Sequence, residues 1–106
     1  MKEIKSVQDF NRLMEQDKPV MLDFYADWCG PCQALLPTVE KLASQYDGKI
    51  EVAKVNIDKQ SELATKLKVR SIPALFFIQN KVVKEKLVGF QSEAALNSKF
   101  AAYSAS

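Results

Sequence analysis

Val20-Met21-Leu22-Asp23-Phe24-Tyr25-Ala26-Asp27-Trp28-Cys29-Gly30-Pro31-Cys32 is the stretch that decides the fold. From Val20 to Ala26 it is apolar with almost no alternation, the pattern of a central strand covered by helices on both faces. Beyond it a helix begins. Pro31 suits a first helical turn, and Leu35, Val39, Leu42, Ala43 and Tyr46 recur at helical spacing until Asp47-Gly48 supplies a stop. Cys29 and Cys32, the only cysteines of the sequence, stand at this strand-to-helix junction. A thiol at a helix start sits among backbone N–H groups that lack an intrahelical partner, at the positive end of the macrodipole, so its thiolate is favoured. The second cysteine, three residues on, shares that helical face. Such a pair can close a small ring, reopen it and pass electrons two at a time.

Outward from this stretch, Ser6 reads as an N-cap for a helix carrying Val7, Phe10 and Met14 and ending near Asp17-Lys18-Pro19, with a weak strand at residues 3–5 before it. On the other side, Ile50 to Ile57 reads as a strand parallel to the first, because a helical crossover separates them. A short helix with Leu63, Ala64 and Leu67 follows. Ala74 to Ile78 and Val82 to Val88, joined by Gln79-Asn80-Lys81, form an antiparallel hairpin. Gly89 leads to a last helix capped by Ser92, with Leu96, Phe100 and Tyr103 as its buried stripe. Pro37 inside the second helix is expected to kink it.

The chain of 106 residues is sized for one domain, spanning 1–106. Fifteen Lys plus Arg against thirteen Asp plus Glu leave it near neutral, with neither a polybasic stretch nor an acidic tail, so nucleic acid is not the expected partner, and no membrane partner is expected either. No apolar run is long enough to cross a bilayer, and Met1 to Val7 lacks the features of a signal peptide, so a cytoplasmic location is expected. There is no histidine. Ser/His and Cys/His catalysis and His-containing zinc sites are thereby excluded, and no metal is expected. Proton handling falls to carboxylates, lysine or the thiols.

From the residues alone, Cys29 is the nucleophile, because it lies at the helix start, and Cys32, one turn further in, resolves the mixed disulfide by attacking Cys29. An inert structural bridge, or half of a zinc site shared with a second copy, are the alternatives. A bridge over so short a loop constrains little of the unfolded chain, and the intervening Gly30-Pro31 weighs against both. Gly30 allows close approach of a substrate backbone, while Pro31 fixes its own φ and gives up an N–H unpaired in a first turn anyway. Asp23 has only apolar and aromatic neighbours in its strand, so its carboxyl is expected to be buried and to titrate above the usual range. Lys54 on the adjacent strand carries no signal of its own, since a lysine there can snorkel to the surface.

Phe24-Tyr25-Ala26-Asp27-Trp28-Cys29-Gly30-Pro31-Cys32, Pro37, Ala53 to Asp58, Val69-Arg70-Ser71-Ile72-Pro73-Ala74 and Val88-Gly89 together resemble the thioredoxin family over essentially the whole length. The resemblance implies an α/β fold, a five-stranded mixed sheet with two helices on each face. It implies a protein disulfide reductase with no bound cofactor, recharged from NADPH by a flavin-containing thioredoxin reductase. Clients of the ribonucleotide reductase, peroxiredoxin and methionine sulfoxide reductase types are implied, and a monomer is expected. Asp23 would be the base for Cys32 through a proton relay, with Lys54 as its partner. Pro73 would be cis and face the cysteines, leaving the Ile72 backbone to pair with an extended substrate. Trp28, Ile57, Ile72, Pro73, Val88 and Gly89 would gather as an apolar docking rim. The Gly30-Pro31 dipeptide accompanies reductases in this family.

The sequence departs from the family pattern at Tyr25, where tryptophan is usual, at Gln33, where a basic residue is common, at Ala74, where threonine is frequent, and at Lys81, where glycine normally completes the hairpin. Gln33 removes a charge that supports the thiolate, and Lys81 leaves the turn type open. Two other functions compete with disulfide reduction: a redox-independent binding subunit or chaperone, and a disulfide oxidase or isomerase. A fold hosts many functions, so the site must choose among them.

Overall fold

Every residue of β2 (Val20–Tyr25) is buried, and its two faces enter different cores. Val20, Leu22 and Phe24 pack with Phe10, Leu13, Leu63 and Ala64, whereas Met21 packs with Leu35, Val39, Leu96 and Phe100. A strand alternates its side chains, so a run apolar at every position requires cover on both sides. The computed structural model describes residues 1–105 and supplies that cover. Helices α1 (Val7–Met14) and α3 (Ser61–Lys66) line one face, α2 (Gly30–Gln45) and α4 (Glu93–Ser104) the other.

The sheet runs in the order β1-β3-β2-β4-β5, where β1 is Lys2–Glu3, β3 Glu51–Asn56, β4 Ala74–Gln79 and β5 Val82–Val88. Strands β1, β3 and β2 are parallel; β4 runs antiparallel to β2, and β5 to β4. This mixed sheet with two helices on each face is the architecture implied by the resemblance. The same alternation places Asp23 on the α2 side, between Met21 and Tyr25, and the register sets it beside Lys54 of β3 and Leu75 of β4.

Local chemistry sets the element ends. Ser6 Oγ accepts the Asp9 N–H at 3.1 Å while Asp9 Oδ2 accepts the Lys5 N–H at 2.9 Å, a reciprocal cap at the start of α1. Ser92 caps α4 in the same way through the Ala95 N–H. Helix α1 stops at Met14, earlier than its sequence suggests; Phe10 is buried and Met14 packs partly buried beside it as expected, but Val7 is exposed and Leu13 takes its place in the core. The first strand is Lys2–Glu3, beginning one residue and ending two residues earlier than expected, and it leaves Ile4 in the core. Helix α2 continues through Pro37. At the hairpin, Asn80 (φ 53°) and Lys81 (φ 66°) both adopt positive φ, as a two-residue mirror-image turn demands. Phe77 pairs with Glu85 but Ile78 with Val83, so Lys84 bulges out of β5. Among the described residues, no helix is long and apolar enough to cross a membrane.

Candidate functional site

Cys29 is the N-cap of α2, held in extended geometry (φ −89°, ψ 106°). Its Sγ accepts the backbone N–H of Cys32 at 3.2 Å, and its carbonyl accepts the N–H of Gln33 at 3.0 Å. The sulfur thus takes the place of a capping serine or aspartate oxygen, next to helix donors that have no other partner. Pro31 occupies the first turn, where its missing N–H costs nothing. Cys29 and Cys32 are joined as a disulfide with their Cα atoms 5.3 Å apart, so the structure is that of the oxidised form.

A nucleophilic thiol at a helix start is expected to be exposed; the structure places Cys29 deeper. Cys29 is only 5% exposed, because capping turns its side chain inward against Tyr25, Ala26, Ile57 and Ile72. Cys32 is buried further, at 1%. The exposed group is Trp28, at 70%. Its indole Nε1 donates to Asp58 Oδ2 at 2.8 Å, and the loop bearing Asp58 is itself pinned by Asn56 Oδ1, which accepts the N–H groups of Asp58 and Lys59. Asp58 had no role in the sequence reading, since an acid after a strand looks like an ordinary turn residue.

The Ile72–Pro73 peptide is cis, and the Ile72 carbonyl oxygen lies 4.0 Å from Cys29 Sγ. The Pro73 carbonyl accepts the N–H of Gly89 at 2.8 Å, which brings Val88 and Gly89 to the same end of the sheet. Gly89 sits at φ +94°, where a side chain is strained. Gly30 differs: a Cβ there would meet nothing, so open space and not backbone geometry distinguishes the position. Ile57 and Ile72 are half-buried against the cysteines, and Val88 is exposed. Phe90 is 57% exposed just past Gly89. Sequence reasoning missed it, although a large aromatic between a glycine and a helix cap has no partner on its own element.

Asp23 is 1% exposed, and neither carboxylate oxygen has a hydrogen-bond partner among the described residues. Burial pushes its carboxyl up to about 7, against the opposing pull of the Lys54 charge. Tyr25, next on this face of β2, packs with Cys32, so Asp23 lies beneath the first turns of α2. Lys54 does not ion-pair with Asp23. Its ammonium lies 3.8 Å from Glu3 Oε1 and 5.5 Å from the centre of the Tyr25 ring.

A redox disulfide at a helix N-cap, an unpaired buried acid and a cis-proline wall now stand together on this sheet. A sequence model of the family described as Thioredoxin matches residues 2–102. The chain belongs to the thioredoxin family. It is 39% identical to the M-type chloroplastic thioredoxin of Spinacia oleracea over 94% of this chain and 59% of that one, so it spans under two thirds of that relative's length. It is 36% identical to the thioredoxin of Rickettsia prowazekii over 81% of this chain and 82% of that one. Among solved structures, a mutant thioredoxin from Halobacterium salinarum superposes with a TM-score of 0.89 at 37% identity, covering 97% of this chain and 89% of that one. Among the described residues of this thioredoxin-family chain, no group of three His, Cys, Asp or Glu side chains could hold a metal.

Proposed function

We propose that this chain is a protein disulfide reductase. The carrying observation is the Cys29–Cys32 disulfide at the N-terminus of α2, with Cys29 Sγ accepting the Cys32 N–H. In the reduced form Cys29 is the thiolate. It attacks one sulfur of a client disulfide, forming a mixed disulfide and expelling the first client thiolate. Asp23 then takes the proton of Cys32, whose sulfur attacks Cys29; the mixed disulfide breaks, the second client thiolate leaves, and the bridge seen here forms. A carboxyl near 7 is matched to that transfer at neutral pH, which a carboxyl in its usual range is not. Lys54 moderates Asp23 by its charge.

Client docking falls to Trp28, Ile57, Ile72, Pro73, Val88 and Gly89. Gly30 leaves room for an approaching backbone, and Pro31 holds the turn between the sulfurs. The exposed Phe90 extends this rim. Two electrons return from NADPH through a flavin-containing thioredoxin reductase, and the clients are disulfide proteins of the ribonucleotide reductase, peroxiredoxin and methionine sulfoxide reductase types. We place the activity in the cytoplasm as a one-domain monomer. The spinach relative bears a chloroplast designation, so compartment is tested separately, by fractionation of the source cells.

The deciding experiment is dithiothreitol-driven reduction of insulin, followed by coupling to NADPH and the host's thioredoxin reductase. Wild type should accelerate insulin reduction, Cys29→Ser should abolish the acceleration, and Cys32→Ser should accumulate a mixed disulfide with insulin. Undiminished activity in Cys29→Ser would replace this proposal by a redox-independent binding role.

A further inference from the structure

Three charged side chains lie in a row across adjacent strands: Glu3 of β1 is in register with Lys54 of β3, and Lys54 with Asp23 of β2. Register partners in a parallel sheet share a face, and neighbouring strands are about 4.8 Å apart, so one ammonium stands between two carboxyls. It serves only one of them. Lys54 ion-pairs with Glu3 and covers the Tyr25 ring, while both oxygens of Asp23 are left without a partner. Lys54 also lines two surface cavities. One, of about 390 Å³, includes Glu40, Ser44 and Asp47; the other, of about 610 Å³, includes Glu3, Asp9 and Arg12. The ammonium therefore sits at the watered edge of the sheet, where pairing with Glu3 avoids the desolvation that a buried pair with Asp23 would demand.

We infer that Glu3 is a positioning residue that holds the Lys54 ammonium away from Asp23 and so favours the protonated form of the Asp23 carboxyl. The inference rests on the reading of Asp23 as the proton acceptor of the site. The charged or titratable groups on this face are few. Lys54 and Glu3 come from the neighbouring strands, Tyr25 follows on β2, Cys32 comes from α2, and β4 contributes only Leu75 opposite Asp23. Glu40 of α2 is exposed and reaches only the cavity shared with Lys54. On α4, Glu93 and Lys99 are committed to Lys41 and Glu85. Tyr25 titrates above its ordinary value first through burial, next through the Glu3 charge and more weakly through that of Asp27, which places both acids electrically beside this cluster.

The sign follows from the geometry. Removing the Glu3 charge takes away a negative neighbour and frees the ammonium to lean toward Asp23; both effects favour the Asp23 carboxylate. The test is titration of the Asp23 side-chain carbon by NMR in the oxidised, Asp-labelled protein of 106 residues. In Glu3→Gln the midpoint should fall by about half to one pH unit, a three- to tenfold loss of proton affinity. Glu3→Asp, which keeps the charge, should recover part of the change. In a Lys54→Gln background, Glu3→Gln should move the midpoint less. An unchanged or raised midpoint in Glu3→Gln overturns the inference, as does an equal shift with and without Lys54. The catalytic reading fails separately: if Asp23→Asn reduces insulin at the wild-type rate across pH, Asp23 is no base, whatever its midpoint owes to Glu3.

Discussion

Trp28 is the most exposed large apolar side chain of the molecule, yet its Nε1 is fixed 2.8 Å from Asp58 Oδ2 in the loop that follows β3. A surface indole held in one orientation presents its ring to a client without having to give up rotational freedom on docking.

Asp58→Ala should therefore leave the fold intact and cut kcat/KM for insulin by about fivefold, the equivalent of the ~1 kcal/mol a typical hydrogen bond contributes. Trp28 is the only tryptophan in the sequence, so its fluorescence anisotropy reports the loosening directly. Unchanged anisotropy would show that Asp58 does not restrain the ring.

Phe90→Ala should weaken turnover of folded protein clients by about tenfold, in line with the ~1.5 kcal/mol gained when a partly exposed aromatic is covered. Reduction of a small aromatic disulfide should be unaffected, as it needs only the sulfurs. Equal losses with both substrates would place Phe90 in the chemistry instead of the docking rim.

Asp23 gives the protein an inverted pH dependence. Its folded value, pushed up to about 7, lies above the unfolded value near 4, so the native state binds the extra proton between these limits. The contribution to stability is complete below about pH 4 and is lost as pH rises through about 7, a difference of the order of 4 kcal/mol. Asp23→Asn should accordingly unfold at higher urea than wild type at about pH 8, and the two curves should converge in acid. A constant offset at all pH values would show that the amide acts through packing alone.

Lys81 holds φ 66° at the tip of the β4–β5 hairpin, a conformation that costs an L-residue about 1–2 kcal/mol. Lys81→Gly should stabilise the oxidised protein by about 0.5–1 kcal/mol in urea, the strain relieved less the greater freedom of glycine when unfolded. A loss of stability would mean that the lysine side chain contributes more than its backbone costs.

What the sequence made legible was whatever acts locally. An unbroken apolar run announced a doubly covered β2, Ser6 and Ser92 announced their helices, and an acid among Leu22, Phe24 and Tyr25 announced a buried carboxyl. Pairing between distant strands was not legible from the residues: nothing near Glu3 indicates that β1 will lie against β3 and claim Lys54. The depth of Cys29 was hidden for a related reason, since the cap that turns it inward also needs Ile57 and Ile72, each from another loop. In α1, Phe10 and Met14 were legible, but Val7 could not be told from Leu13 because both fit the helical period, and only the position of the sheet decides between them.

Pro37 has no N–H to offer the carbonyl four residues earlier, that of Gln33, and its ring crowds the same oxygen. The ladder of α2 thus lacks one bond, at Gln33, one residue beyond Cys32, although the helix runs on unbroken and Leu35, Val39 and Leu42 anchor it in the core. The turn that bears the sulfurs is tied to the rod behind it by one bond fewer than an unbroken ladder would give. It can open and close its ring with each electron pair without prying at the packing that keeps the molecule folded, as a latch moves on a door that stays shut.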